Sequence, residues 1–387
     1  MLRIEEPSAA PPPRGLALFD LGFRPFYLLA ALFSALAVAG WALAYLNGTS
    51  FAYLLPLLWH QHEMVFGFAL AVIAGFLLTA GRVWTGRSTP EGLPLAALAA
   101  LWLAGRVAMI TGPDLAAALA DGAFPFVLAA VMARAIVGAR NARNYFVIAL
   151  LFALGGANIA FHLGHWALAV RAALWLVMTL VVVMAARVVP AFTANALPRA
   201  GVVHKPSLDD ASVALTVATF AADLLGLHAA FVAPLAFATA LVHAVRQWGW
   251  RPRATLGQPI LWILHLSHAW IPLGFLLLAL GALGVVAPNV ALHAFGAGAM
   301  GGMIIGMITR TALGHTGRPL AAGRAETAAY TLVHLAAALR VLAGLAPELG
   351  YVALIGASAA CWTLAFLIYF AAYAPRLAAP RQDGKPG

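Results

Sequence analysis

Leu58-Trp59-His60-Gln61-His62-Glu63-Met64-Val65-Phe66-Gly67-Phe68 opens an apolar run that continues from Ala69 to Thr79. At 1.5 Å per residue the run is long enough to cross a bilayer as a helix. Two imidazoles, a carboxylate and a thioether stand at its mouth. Ionisable side chains are expensive there and need partners or a task. The rest of the chain reads as walls and counter-ligands around this entrance.

The whole composition points the same way. Of 387 residues, 63% are apolar and 9% are charged, against roughly a quarter charged in soluble domains. The fold class is therefore all-α, a polytopic membrane helix bundle in which each backbone group bonds within its own helix. One cysteine, Cys361, excludes a disulfide within the chain and a cysteine metal cage. The first 18 residues are rich in Pro and Ala, carry Glu5-Glu6 and have no apolar core. They do not read as a signal peptide, so the first membrane helix is expected to direct insertion.

Apolar runs of about twenty residues count to twelve transmembrane helices. They lie near 25–46, 60–80, 93–112, 122–139, 144–164, 169–191, 210–227, 229–247, 259–284, 288–309, 325–346 and 350–373. The weakest division is inside 210–247, where Gly226-Leu227-His228 alone marks a turn. Residues 1–24 form an N-terminal segment, 25–375 one membrane domain and 376–387 a tail; the long polar joint 192–209 separates two sets of six helices.

Every second joint is basic. Arg3, Arg14 and Arg24 precede the first helix, and Arg82, Arg87, Arg140, Arg143, Arg187, Arg199 and Lys205 fall in alternate joints. Arg246, Arg251, Arg253, Arg310, Arg318, Arg324, Arg376, Arg381 and Lys385 continue the pattern, while the intervening joints carry Asp114, Asp121, Asp223 and Glu348. That is the positive-inside arrangement with both termini cytoplasmic. Topology thus accounts for the net charge of +10, and the reading is of a lipid-embedded protein with no nucleic-acid partner.

With that orientation, His60, His62, Glu63, His162, His165 and His293 fall in the outer half of the bundle. His265 and His268 lie toward the cytoplasmic half and middle, and His334 near the middle. Neutral imidazole is the commonest metal ligand. The candidate metal ligands are His60, His62, His162, His165, His265, His268 and His293. On a regular helix His60, Glu63 and Met64 align with Gly67, Ala71 and Gly75, a stripe that admits another helix or a flat cofactor, while His62 points nearly the opposite way. Gly155, Asn158, His162 and His165 share one face. Gly298, Gly302 and Gly306 form a packing seam.

Three arginines, Arg106, Arg171 and Arg340, break the inside bias. Arg106 and Arg340 are candidates to clamp a carboxylate such as a haem propionate; pairing with Asp223, Glu348 or Glu63, or snorkelling to the interface, is the plainer role. Among the haem-holding candidates are His60, His62, His265, His268 and His293. His204, His228, His243 and His315, in joints or at helix ends, read as simple hydrogen-bonding residues, as does His334; Met300, Met303 and Met307 read as core fillers. There is no P-loop, no strand–helix GxGxxG and no HExxH. Cys-x-x-Cys-His is absent, so any haem is held non-covalently as haem b.

Leu21-Gly-Phe-Arg-Pro-Phe26, Trp59–Phe68, Ala71–Thr79, Trp84-Thr-Gly86, Arg187–Leu197, His293–Ile304 and Leu313–Leu320 resemble the NnrS family. One departure is Gly81-Arg-Val before Trp84, at a cytoplasmic helix end. The resemblance implies a multi-pass protein of the bacterial cytoplasmic (inner) membrane. It also implies haem, with copper as a second metal, and a role in nitric oxide stress or denitrification.

Three readings stand open. The first is a haem protein that handles nitric oxide or a related small ligand. The second is a nitric-oxide-converting enzyme, which needs an electron donor and a proton-handling carboxylate, for which Glu63 is the candidate. The third is a transporter of metal or a small anion, with Pro272 and the glycines near His293 as places for a broken helix.

Overall fold

The computed structural model describes residues 15–51 and 53–384. Arg3, Arg14 and Lys385, and with them most of the expected N-terminal segment, lie outside the described residues. Among those described there are twelve long helices and no strand. They are α1 (Phe23–Asn47), α2 (Pro56–Thr85), α3 (Leu93–Thr111), α4 (Asp114–Gly138), α5 (Tyr145–His162) and α6 (Trp166–Ala196). The second set is α7 (Pro206–Leu224), α8 (Ala229–Gly249), α9 (Pro259–Ala282), α10 (Pro288–His315), α11 (Arg324–Leu345) and α12 (Tyr351–Ala378).

Eleven of these are long and apolar enough to cross a membrane. The exception is α7, whose Asp209, Asp210 and Asp223 dilute its hydropathy. It lies along α8 through hydroxyls instead: Thr219 and Thr239 meet at 2.7 Å, and Thr216 meets His243 at 3.0 Å. Starts and stops follow local chemistry. Proline stands in the first turn of α2, α3, α7, α9 and α10, where its missing N–H is no loss. Gly86 ends α2 at φ 64°, a left-handed cap that a Cβ would strain.

Two differences from the hydropathy reading matter for function. First, α4 starts at Asp114 rather than near 122, so Asp121 is not in a joint. It lies two turns inside the helix and is 2% exposed. Second, α2 and α10 each contain a π-helical stretch, Glu63–Ala69 and Ala294–Gly301. Each stretch follows a candidate histidine, and such i→i+5 turns are frequent at functional sites.

Small residues decide which helices touch. A Cβ at Gly75 would come within 2.9 Å of the Tyr27 ring, so the glycine stripe of α2 packs on a helix, α1, rather than on a flat cofactor. On α10, a Cβ at Gly298 would strike Trp270 and one at Gly306 would crowd Leu264 and Ile263, which makes the expected glycine seam the α9 contact. The long α6 touches the wide turns of both α2 and α10. It therefore joins the two six-helix sets at the level of their histidines.

Candidate metal centre

The site is built from α2 outward. His62 and Glu63 are fully buried, 0% exposed. Glu63 Oε1 lies 2.9 Å from His62 Nδ1. This differs from the regular-helix expectation, which puts Glu63 with His60. The wide turn that begins at Glu63 brings consecutive side chains closer in angle, so the carboxylate follows His62. Arg106 of α3 donates through Nη1 to both Glu63 oxygens at 2.7 Å and through Nη2 to Asp121 Oδ1 of α4. Gly67 makes the space: a Cβ there would sit 2.7 Å from Glu63 Oε2 and 2.9 Å from Arg106 Nη1. The Trp102 indole N–H donates to the Gly67 carbonyl at 3.0 Å.

Asp121 is the hub. Its Oδ2 lies 3.0 Å from His62 Nε2 and 3.2 Å from His162 Nε2 of α5, and it accepts from Asn158 Nδ2 at 2.5 Å. Among the described residues, His62, Asp121 and His162 form the one group of three ligand residues with atoms facing each other, all within 4.8 Å. Both inward nitrogens are Nε2. Both outward Nδ1 atoms are held, His62 by Glu63 and His162 by the Tyr53 hydroxyl at 3.1 Å. That is the arrangement by which an outer partner fixes the tautomer and orientation of a ligating imidazole. Tyr53 precedes α2; burial and the Asp114 carboxylate raise its phenol above the usual range, so it stays a neutral hydrogen-bonding group.

His60 faces the other way. Its ring stacks on Trp41 of α1 at 4.1 Å, and its Nδ1 is buried without a partner. Across from it stands His293 of α10, with Arg340 of α11 also in electrostatic reach. His293 Nδ1 is engaged by the Asn289 carbonyl at 2.7 Å, which leaves Nε2 as the lone-pair nitrogen. Arg340 Nε is buried and unpartnered. So α2 serves two loci: His62 on the α4–α5 side, His60 on the α1–α10 side.

The other candidates fall elsewhere. His165 is exposed at the start of α6. His265 and His268 belong to a second buried network between α6, α7, α8 and α9. His268 Nδ1 meets Gln247 Oε1 at 2.9 Å, and its Nε2 meets Arg246 Nη2 at 3.0 Å. His265 Nε2 meets Thr193 Oγ1 at 2.9 Å. Arg106 is engaged by its two carboxylates; Arg171 pairs with Asp223 at 2.7 Å, with Trp175 on the same carboxylate.

Sequence reasoning missed two members, Asp121 and Tyr53. For Asp121 a signal existed. Asp114 follows Pro113 as a helix-starting acid, and from there Ala117, Asp121, Phe124 and Leu128 recur at helical spacing as one buried face.

Comparison with protein families matches NnrS protein over residues 17–381. The chain belongs to the NnrS family. Membership connects it with nitric oxide at the level of the family, and the helices make it a multi-pass membrane protein. No curated protein matches it. The family is associated with haem and copper, and in this NnrS protein the His62–Asp121–His162 group is a possible place for a metal.

Proposed function

We propose that this protein is a metal- and haem-binding membrane protein that handles nitric oxide at the outer side of the bacterial cytoplasmic membrane, in nitrosative stress or denitrification. The observation that carries the reading is the convergence of His62, Asp121 and His162 from three helices, with Glu63 and Tyr53 behind the two imidazoles. Two imidazoles and one carboxylate suit copper(II) or iron(II) and leave positions open. A bound metal would supply such an open position and a redox couple. Arg106 neutralises the carboxylates and holds α2, α3 and α4 in register around it. Asn158 keeps Asp121 aimed at the two histidines.

The donors around His60 fit a haem. His60 and His293 offer imidazoles from opposite helices, and Arg340 is free of any carboxylate partner among the described residues, as a propionate clamp must be. The enzymatic reading is favoured by one feature: Glu63 is a fully buried carboxylate 2.9 Å from an imidazole nitrogen, placed to hold a proton at Oε1. An external electron donor belongs to either reading.

The test is spectroscopic. Purified protein should contain iron with a Soret band and bind one further copper or iron. The band should change in His60→Ala and His293→Ala, and the second metal should be lost in His62→Ala. A preparation that takes up neither metal nor haem when both are supplied refutes the proposal.

A further inference from the structure

A cleft of about 610 Å³ opens between α4 and α5 at the end of the bundle that holds the cluster. Ala118, Gly122 and Ala123 of α4, Ile159 and His162 of α5, and Tyr53 line it. Two of these, His162 and Tyr53, are also part of the cluster, so the cleft ends on the imidazole whose Nε2 faces Asp121. Small residues keep it open along α4. At its floor a Cβ on Gly122 would lie 3.4 Å from Asn158 Oδ1. Asn158 is 0% exposed, and its Oδ1 has no hydrogen-bond partner because the amide N–H groups turn to Asp121 and His62. A buried acceptor left bare is unfavourable unless something polar reaches it.

Charge limits what can enter. Asp114 stands in the cleft wall, and Asp121 and Glu63 lie beyond its inner end with one guanidinium between them. An anion would meet carboxylates at both ends of the path. A wall made mostly of alkyl groups does not replace the hydration of a cation. We propose that this cleft admits and seats a small neutral molecule of two or three heavy atoms next to His162, with the Tyr53–His162 hydrogen bond as its inner gate. The inference deepens the metal-centre reading by naming the ligand class, neutral diatomic rather than nitrite-like anion, and rests on that reading for what lies beyond the gate.

Xenon tests the cleft without any metal. Crystals of the full chain under xenon pressure should show the gas beside Ala118 and Gly122, and Ala118→Phe should remove it. Xenon absent from wild type, or a lipid or detergent chain filling the cleft, overturns the proposal. The second arm uses copper-loaded protein in stopped flow. Ala118→Phe and the milder Ala123→Leu should slow nitric oxide association at least ten-fold while copper stoichiometry holds; nitrite should give no spectral change in wild type. An unchanged association rate in both folded variants, or nitrite binding as fast as nitric oxide, counts against it. Failure to load copper at all overturns the metal reading instead, and the xenon result still decides the cleft.

Discussion

The two buried histidine clusters look alike in composition and differ in what their atoms can still do. One, at the end that begins α2, has His62 and His162 with Arg106 and two carboxylates. The other, between α7, α8 and α9, has His243 and His268 with Arg246 and one carboxylate, Asp209, at 3.4 Å. Arginine only donates. Arg246 Nη2 therefore makes His243 Nδ1 and His268 Nε2 acceptors, at 3.3 and 3.0 Å. Their protons must then lie on the far nitrogens, His243 Nε2–H toward Thr216 and His268 Nδ1–H toward Gln247. Every nitrogen of both rings is committed. In the first cluster the carboxylate oxygens, not donors, face the inward nitrogens, and three ligand atoms look at one point. Burial and residue type do not separate a structural histidine from a ligand; the donor–acceptor count does.

That distinction can be broken by experiment. The largest effect expected is on metal content. His162→Ala should abolish binding of the metal assigned to the first cluster, while His268→Ala should leave its stoichiometry unchanged; elemental analysis of purified protein decides. Equal loss in both would erase the difference.

Next comes stability. Removing Arg106 leaves Glu63 and Asp121 buried without a counter-charge, so Arg106→Met should destabilise by about 3–5 kcal/mol. Arg246→Met should be milder, about 1–3 kcal/mol, because Asp209 keeps His204 at 2.5 Å and reaches the surface. Thermal unfolding in detergent measures both, and a reversed order would mean that the second network is the more strained one.

The smallest effect sharpens the view of α7. Thr239→Val alone leaves a buried Thr219 hydroxyl without its side-chain neighbour and should cost about 1 kcal/mol. The double change with Thr219→Val should cost less than the sum of the singles, read from a double-mutant cycle. Strict additivity would show that the hydroxyl pair is not what holds α7 to α8.

Much of the fold could be read from hydropathy because lipid imposes one rule on every span. All twelve runs became helices, including the weakly divided 210–247 pair. The opposed directions of His60 and His62 followed from the helical period alone. Asp121 was lost for a physical reason: hydropathy scores a residue by itself, whereas its burial is made tolerable by Arg106 from another helix. The partner of Glu63 was lost because the wide turn at 63–69 breaks the period on which face assignments rest. Tyr53 lies in a joint, where no period exists to place it.

That wide turn has a consequence for how the chain can change. An i→i+5 turn uses one residue more than an α-turn, and the Trp102–Gly67 bond pins it in place. Lose a single residue between 63 and 69, and the turn closes to ordinary α-helix. Everything before it then swings by about 100° about the helix axis. His62 would leave Asp121 and His60 would leave Trp41 together, with no side chain altered. The division of α2 into two working faces is thus a matter of arithmetic along the backbone, more sensitive to one deletion than to many substitutions.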